Sequence, residues 1–430
     1  MNNLFRKLYK SKNLRNSYWM IGEKVFQMLL SLVVGILTAR YLGPTNFGTL
    51  NYTAAFIAFF TNIAALSMNS VMIVKLIHYP DQEGQYLGSA LLYRVIAALL
   101  SSISIACLIV ILNPGDSLKL TLAMIQSIQL LFKAFDILDV WFQRRLKSKY
   151  ASIGKMLASL VVSAYKIFLL VTYKGLVWFA FSNVLSDFVI AAVLLLFYKL
   201  ECGQKLEIRI EIGNELLKES YHFLFADLMS ALYTYLDRIM IGGLMTDADV
   251  GFYSVAVSVS GMWIFVPVAI INSYKPTVLE YKANGNEKQY RLRLKQLIAS
   301  IFWLSTFVAL IVTLLGRVAV GMLYGESYLP AVIPLVFLTW AEVFGVTSMT
   351  RVIWILSENK SQYVKLYVFI GTVVNCILNY ILISNIGIVG AALATLITQI
   401  VVCIFAPLFF RETRALSYTV IDAISLRWLF

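Results

Sequence analysis

Charged residues are scarce in this chain, and the residues that most often bind metals are scarcer still. Only 14% of the 430 residues are Asp, Glu, Lys or Arg, whereas 60% are hydrophobic. A water-soluble protein of this length has no place for so much apolar surface. The composition is therefore typical of a membrane protein that crosses the bilayer many times.

Catalytic and metal-binding motifs are missing as well. The two histidines, His78 and His222, have no H-E-x-x-H spacing, and the four cysteines have no C-x-x-C spacing. The chain also has no G-x-x-x-x-G-K-[ST] phosphate loop, so ATP is not expected to drive it directly. We therefore predict no metal site, no cofactor and no enzyme activity.

Long apolar runs make up most of the chain. They are continuous and do not alternate with a period of two, which predicts helices and not the strands of a membrane barrel. One helical crossing of a hydrocarbon core of about 30 Å needs roughly 20 apolar residues. Twelve runs meet this length: 18–39, 51–76, 88–112, 118–142, 150–172, 175–198, 221–244, 250–274, 296–322, 330–356, 363–384 and 387–410. The predicted fold is an all-α polytopic membrane protein with about 12 transmembrane helices.

Positive charges are concentrated in alternate loops. If the N-terminus is inside, the cytoplasmic segments hold 25 Lys and Arg residues, and the external loops hold only Arg40, Lys119 and Lys174. Because positive loops stay in the cytoplasm, both termini are predicted to be cytoplasmic. The net charge of +13 is spread over many short loops, which indicates contact with the headgroups of the lipid bilayer and not with nucleic acid.

The two halves of the chain repeat each other. Arg40–Gly48 is similar to Gly243–Gly251, and Gly175–Leu185 is similar to Gly387–Ile397, at offsets of 203 and 212 residues. This spacing predicts a duplicated six-helix unit, and two such lobes usually enclose a central cavity. The predicted organisation is an N-terminal lobe (1–198), a polar cytoplasmic linker (199–220), a C-terminal lobe (221–410) and a cytoplasmic tail (411–430).

The predicted crossings contain fifteen ionisable residues, more than helix packing requires, which indicates a hydrated polar cavity. The bases are Lys24, Arg94, Lys133, Lys155, Lys166, Arg238, Arg317 and Arg351. The acids are Glu23, Asp136, Asp139, Asp187, Asp227, Asp237 and Glu342. Lys24 can reach the headgroups, whereas we predict that the other bases bind an anionic substrate such as a phosphate. The acids either brace these bases or couple transport to a proton or a sodium ion.

Several short motifs occur in order along the chain. They are A-R-Y-L-G-P-x-x-F-G at Ala39–Gly48, Y-L-D-R-I-M-I-G at Tyr235–Gly242, V-G-x-Y at Val250–Tyr253, and N-x-x-L-N-Y-x-L-I followed by G-I-x-G-A-A-x-A-T within Asn375–Thr395. Together they resemble the polysaccharide transporter family, and most of all its Wzx-type O-antigen flippases. This family belongs to the multidrug/oligosaccharidyl-lipid/polysaccharide exporter superfamily.

The resemblance implies two six-helix lobes around an alternating-access cavity in the inner (cytoplasmic) membrane of a bacterium. The substrate would be an undecaprenyl-diphosphate-linked oligosaccharide, an O-antigen repeat unit, moved from the cytoplasmic to the periplasmic leaflet. The cavity bases would contact its diphosphate, and the polymerase and chain-length proteins of the same pathway would be partners. Coupling to H⁺ or Na⁺ is left open.

Two other functions also stay open. A cation-coupled multidrug exporter is disfavoured because the predicted cavity is rich in bases and typical drug substrates are cations. A membrane-embedded O-antigen polymerase or glycosyltransferase is disfavoured because the external loops are too short for a catalytic domain.

Asp237 and Arg238 are adjacent within the seventh run. Neighbouring side chains on an ideal helix diverge by about 100°, so these two are not expected to pair with each other. The resemblance implies that this dipeptide lies at the inner surface of a lobe. We therefore predict that Asp237 neutralises a base on another helix and braces the fold, while Arg238 faces the cavity.

Overall fold

Helices form throughout the part of the chain that the structure, a computed structural model, describes. This part comprises the backbone of residues 12–425 and the side chains of residues 22–24 and 26–425. No strand is present among residues 12–425, which confirms the predicted all-α fold. The start of the predicted N-terminal lobe and the end of the predicted tail lie outside the described residues. The chain divides into two units, Met1–Ala231 and Leu232–Phe430.

In the described part, the first unit contains eight α-helices and most of a ninth, which continues into the second unit. They are α1 (Lys12–Ala64), α2 (Met68–His78), α3 (Glu83–Leu112), α4 (Ser117–Ser127), α5 (Gln129–Lys133), α6 (Ile137–Arg144), α7 (Lys149–Val171), α8 (Leu176–Leu200) and α9 (Ile210–Leu244). The second unit contains α10 (Asp247–Gly261), α11 (Phe265–Ala283), α12 (Glu287–Tyr324), α13 (Val332–Ser357), α14 (Gln362–Ile400), α15 (Ala406–Phe409) and α16 (Arg414–Ser425).

Nine stretches of the described chain are long and apolar enough to cross a membrane. Two of them, Gly22–His78 and Gln362–Phe409, each contain two of the predicted runs, and in both the helix breaks at a glycine. Gly43 has φ 69° and Gly387 has φ 63°, a left-handed conformation that glycine adopts without steric cost. The seventh predicted run lies in α9, which is less apolar because it contains charged residues. The nine stretches and α9 thus accommodate the twelve predicted crossings.

The polar segment that follows α8 is fixed on the first unit. Residues 203–209 have no regular secondary structure and lie against the start of α3. The amide of Gly84 donates to the Gln204 side-chain oxygen at 3.0 Å, and the amide of Glu207 donates to the Gly84 carbonyl at 3.2 Å. The second half of the predicted 199–220 linker is already helical, because α9 begins there.

The contact between α3 and this segment is also close at Gly88, which gives a first prediction. A Cβ atom at Gly88 would collide with the backbone of Glu207, and hydrogen bonds to α3 hold that backbone in place. We expect Gly88→Ala to lower the free energy of unfolding by about 1–3 kcal/mol, measured as a lower melting temperature in detergent. Gly35→Ala is the matched control, since nothing lies within 4 Å of a Cβ atom there. Equal melting temperatures for the two variants would contradict this account.

Ion pairs also join the helices outside the apolar stretches. Lys147 pairs with Glu201, and Lys360 pairs with Glu412. The hydrogen bond from Lys147 lowers the pKa of the Glu201 carboxyl, and the hydrogen bond to Glu412 raises the pKa of the Lys360 ammonium. All four side chains are partly exposed, and exposed pairs contribute little to stability. These pairs therefore position loops and do not form a candidate site.

Candidate functional site

A polar cavity of about 200 Å³ lies in the first unit. The residues that line it are Thr61, Asn62, Ala64, Ala65, Asn69, Arg94, Leu130, Lys133, Ala134 and Asp136. Arg94 and Lys133 lie near the middle of two stretches that are able to cross a membrane, Pro80–Leu112 and Ser117–Arg144. The cavity therefore lies at mid-depth if these stretches span the bilayer.

Arg94 is the more deeply buried base of this cavity, with 1% of its surface exposed. Its Nη2 donates to Asn69 Oδ1 at 2.8 Å, and its Nε has no hydrogen-bond partner among the described residues. Asn69 is neutral, so it does not cancel the charge of the guanidinium. An arginine with an unused N–H group beside a polar cavity is suited to binding an anion.

Lys133 lies between two carboxylates. Its Nζ is 3.6 Å from Asp136 Oδ2 and 3.6 Å from Asp187 Oδ1. The first contact is local, between residues three apart, whereas Asp187 comes from α8. Both distances are longer than a direct hydrogen bond, and 35% of the Lys133 side chain is exposed. The ammonium therefore has hydrogen-bond donors to spare for a ligand.

A second group of predicted site residues joins three helices of the first unit. Lys155 Nζ of α7 is 2.7 Å from Asp139 Oδ2 of α6. Glu23 of α1 accepts a hydrogen bond of 3.2 Å from the Ser152 hydroxyl, and only 6% of Glu23 is exposed. Because these contacts link separate helices, they favour a bracing role for Glu23, Asp139 and Lys155 over direct contact with a substrate.

Three further site residues have few partners. Lys166 of α7 and Glu342 of α13 are each half-buried, and neither has an ion pair within the described part of the chain. Asp227 of α9 is exposed and accepts a hydrogen bond of 2.5 Å from Ser67. The structure therefore leaves Lys166 as a base whose charge no described carboxylate neutralises at close range.

In the second unit, Asp237 is surrounded by neutral donors, and only 7% of it is exposed. Its Oδ2 accepts hydrogen bonds from Tyr253 at 2.5 Å and from Thr395 at 3.0 Å. Its Oδ1 accepts a hydrogen bond of 2.6 Å from Asn379, whose side chain also contacts Asn375 at 2.9 Å. These five side chains form one buried polar cluster, the Asp237 cluster.

The prediction that Asp237 neutralises a base on another helix is therefore wrong. Among the described residues, no Lys or Arg nitrogen lies within 4.0 Å of this carboxylate. The reason is that α10 and α14 present a phenol, an amide and a hydroxyl to α9 at this point, so neutral groups donate the hydrogen bonds to this carboxylate. Carboxylate, amide and hydroxyl oxygens are also the ligands that small hard cations prefer.

The remaining bases of the second unit are dispersed. Arg238 has a buried Nε without a hydrogen-bond partner in the described chain. Arg351 donates to the Val402 carbonyl at 2.8 Å and lies 4.6 Å from the centre of the Tyr367 ring. Arg317 is exposed near the end of α12. Of these three bases, Arg238 and Arg351 are buried enough to act in an enclosed site.

The neutral members of these sites were not predicted to be site residues, although four of the five are defined letters of the motifs quoted from the sequence. They are Asn69, Tyr253, Asn375, Asn379 and Thr395. Asn375 and Asn379 are four residues apart and therefore lie on one face of α14. Two amide side chains four residues apart within an apolar helix are a sequence signal that indicates this pair.

Comparison with known proteins gives a family and two named relatives. Residues 13–282 match the family described as polysaccharide biosynthesis protein. "Probable flippase AglR" of Haloferax volcanii is 28% identical over 174 residues, which are 39% of this chain and 36% of that protein. "Probable low-salt glycan biosynthesis flippase Agl15" of the same organism is 22% identical over 183 residues, which are 43% of this chain and 39% of that protein. The chain thus aligns with less than half the length of these relatives.

Solved structures share the fold over nearly the whole chain. "Lipid II flippase MurJ, inward closed conformation" superposes with a TM-score of 0.75 at 17% identity and covers 95% of this chain and 90% of its own. An inward-facing multidrug resistance MATE family transporter of the MOP superfamily superposes with a TM-score of 0.65 at 15% identity, covering 93% of this chain and 96% of its own. At such identities the likeness shows a common fold, in agreement with the prediction of an all-α membrane protein.

Proposed function

This chain belongs to the polysaccharide biosynthesis protein family, and from this premise we propose that it is a flippase for a lipid-linked oligosaccharide. The finer proposal is an undecaprenyl-diphosphate-linked O-antigen repeat unit, moved from the cytoplasmic to the periplasmic leaflet of a bacterial inner membrane by alternating access. Both named relatives carry the word flippase in their names, which supports the class of transport. Polymerase and chain-length proteins would then act on the exported unit.

The observation that carries the proposal is the polar cavity of the first unit. Arg94 and Lys133 offer a guanidinium and an ammonium to one space of about 200 Å³ within helices able to cross a membrane. Buried charges inside a membrane are costly and are retained where they meet a substrate, an ion or water. A diphosphate is a suitable ligand, because guanidinium groups bind phosphate through two parallel hydrogen bonds and lysine adds a point charge.

The Asp237 cluster supports coupling to a monovalent cation, H⁺ or Na⁺. Asp237 supplies one negative charge, and Thr395, Asn375 and Asn379 supply neutral oxygens. Asn379 Oδ1 is buried and has no hydrogen-bond partner among the described residues. A single carboxylate is suited to one proton or one sodium ion.

Complementation of a flippase-null strain tests the transport function. The chain is expected to restore surface polysaccharide, and without it the complete lipid-linked unit should accumulate at the cytoplasmic face. Loss of a polymerase would instead leave that unit on the periplasmic side, and neither a polymerase nor a drug exporter would restore surface polysaccharide in this strain. Resistance to cationic drugs without any restored polysaccharide would replace the proposal with multidrug export.

Neutralising single bases gives a second prediction. Arg94→Gln, Lys133→Gln, Lys166→Gln and Arg351→Gln should each reduce export about tenfold or more while the protein stays folded in the membrane. The reason is that one charge-assisted hydrogen bond contributes about 1.5–3 kcal/mol. Export is measured as surface polysaccharide, normalised to membrane abundance.

The control for these variants is Arg291→Gln, because the Arg291 side chain is 78% exposed and lies outside the cavity. Arg94→Lys should retain part of the activity if charge alone matters. Wild-type export by all four neutral variants would contradict the proposal that these basic residues bind the substrate.

The orientation gives a third prediction. We expect cysteines introduced at Asp247 and Ser327 to react with a membrane-impermeant maleimide from the periplasm, and a cysteine at Asn286 to be protected in intact cells. The physical reason is the excess of Lys and Arg in the loops on the Asn286 side. The experiment uses a background without the four native cysteines. If a cysteine at position 286 is labelled in intact cells at equal expression, residue 286 faces the periplasm and the proposed topology is wrong.

A further inference from the structure

A second groove, of about 210 Å³, lies in the second unit between α11 and the start of α12. Its lining residues are Ser273, Tyr274, Thr277, Val278, Tyr281 and Arg293. Those from α11 fall on one face of the helix, since they recur at intervals of about four residues. Five of the six side chains end in an O–H or N–H donor, and none of the six is a carboxylate. Such a lining is complementary to an anion.

Arg293 is the charged member of this groove. Its side chain is exposed, and Nη1 donates to the neutral Gln296 at 3.1 Å. No carboxylate of the described chain forms an ion pair with Arg293. Nearby bases differ in this respect, because Arg291 pairs with Glu287 at 3.7 Å and Lys295 pairs with Asp422 at 2.9 Å. The guanidinium of Arg293 thus keeps most of its five donors for a ligand.

The groove also lies where an apolar stretch ends. The stretch Asp247–Ala283 ends in α11 and the next one, Glu287–Tyr324, begins with α12, so the groove is close to the short turn between them. Tyrosine is enriched at the boundary between hydrocarbon and headgroups, and arginine at this level can reach lipid phosphates. Under the proposed orientation, on which this inference rests, the turn faces the cytoplasm.

From this arrangement we propose that the groove binds the phosphate group of a lipid in the cytoplasmic leaflet, with Arg293 as the anion contact. Tyr274, Tyr281, Ser273 and Thr277 would donate hydrogen bonds to the phosphate oxygens that the guanidinium does not reach. Two lipids carry this chemistry, the diphosphate of the polyprenyl carrier and the headgroup phosphate of an anionic phospholipid. In either case the groove shares no lining residue with the cavity of Arg94 and Lys133.

Lipid binding by the purified full-length chain in neutral detergent tests the proposal. The probes are undecaprenyl diphosphate, dioleoyl phosphatidylglycerol and dioleoylglycerol, which lacks a phosphate. Arg293→Gln is expected to weaken binding of at least one phosphate-bearing lipid about tenfold, the effect of losing one charge-assisted contact. Arg293→Lys and Tyr281→Phe should each weaken lipid binding less than Arg293→Gln does.

Lys288→Gln is the matched control, because Lys288 is an exposed base on the same helix that does not line the groove. Weaker binding of undecaprenyl diphosphate alone would assign the groove to the transported lipid, and weaker binding of phosphatidylglycerol alone would assign it to the bilayer. Equal affinities for Arg293→Gln and Lys288→Gln, with unchanged melting temperatures, would overturn the proposal. The assay does not measure export, so its failure is distinguishable from failure of the flippase proposal.

Discussion

Replacing Glu83 by glutamine is expected to lower the free energy of unfolding by about 2–4 kcal/mol, because two charge-assisted contacts to one buried carboxylate are lost. Glu83 begins α3 and is 1% exposed. Its Oε2 accepts hydrogen bonds from Trp141 Nε1 at 2.7 Å and from Arg145 Nη2 at 2.9 Å, and Arg144 forms an ion pair with Oε1. The Arg145 guanidinium also lies 4.2 Å from the centre of the Trp141 ring. Glutamine would keep the shape and leave both arginines without a counter-ion.

The measurement is the melting temperature of the purified protein in detergent. For a unit of this size the expected loss corresponds to a fall of roughly 10 °C. Glu207→Gln is the control, since Glu207 is exposed and its carboxylate accepts only a long hydrogen bond of 3.5 Å from Gln85. A Glu83→Gln variant that melts within about 2 °C of the wild type would show that the site tolerates two unpaired arginines.

Replacing Asp237 by asparagine is expected to abolish export while leaving the protein folded and inserted. Because no Lys or Arg of the described chain forms an ion pair with Asp237 within 4.0 Å, its neutralisation breaks no direct salt bridge. Asparagine has nearly the same size and can still accept a hydrogen bond from Tyr253 or Thr395. What it removes is the only negative charge of the Asp237 cluster, which a proton or a sodium ion would require.

The readouts are surface polysaccharide, membrane abundance and melting temperature. Glu326→Gln is the control, because it removes an exposed carboxylate from the same unit and outside the cluster. Tyr253→Phe removes one donor to the carboxylate and should cost about 1.5–3 kcal/mol of stability. A stable and fully active Asp237→Asn would eliminate the coupling role, and an Asp237→Asn that is lost through degradation would restore the bracing role. Arg238→Gln, assayed in parallel, should lose export without losing abundance.

The sequence by itself determined the class of the protein and the positions of its helices. Apolar runs of about 20 residues have few alternatives to a membrane helix, because every backbone N–H and C=O group must be satisfied without water. The helix breaks at Gly43 and Gly387 are also determined by the local sequence, since both positions have a left-handed backbone conformation that other residues rarely adopt. The i,i+3 contact between Lys133 and Asp136 is also local, because helix geometry fixes it.

Only the tertiary structure decided which polar groups meet. Three pairs of residues in contact are far apart in the chain: Lys133 with Asp187, Glu83 with Trp141, and Asp237 with Asn379. Their contacts depend on how separate helices are rotated and packed against each other. The divergence of Asp237 and Arg238 on one helix led to the prediction of a base on another helix as the partner of Asp237. Neutral donors stabilise a buried carboxylate too, and the sequence does not show which of them point towards it. Helix periodicity is a property of neighbouring residues, whereas partner choice is a property of packed helices. For this reason the crossings were predictable and the site partners were not.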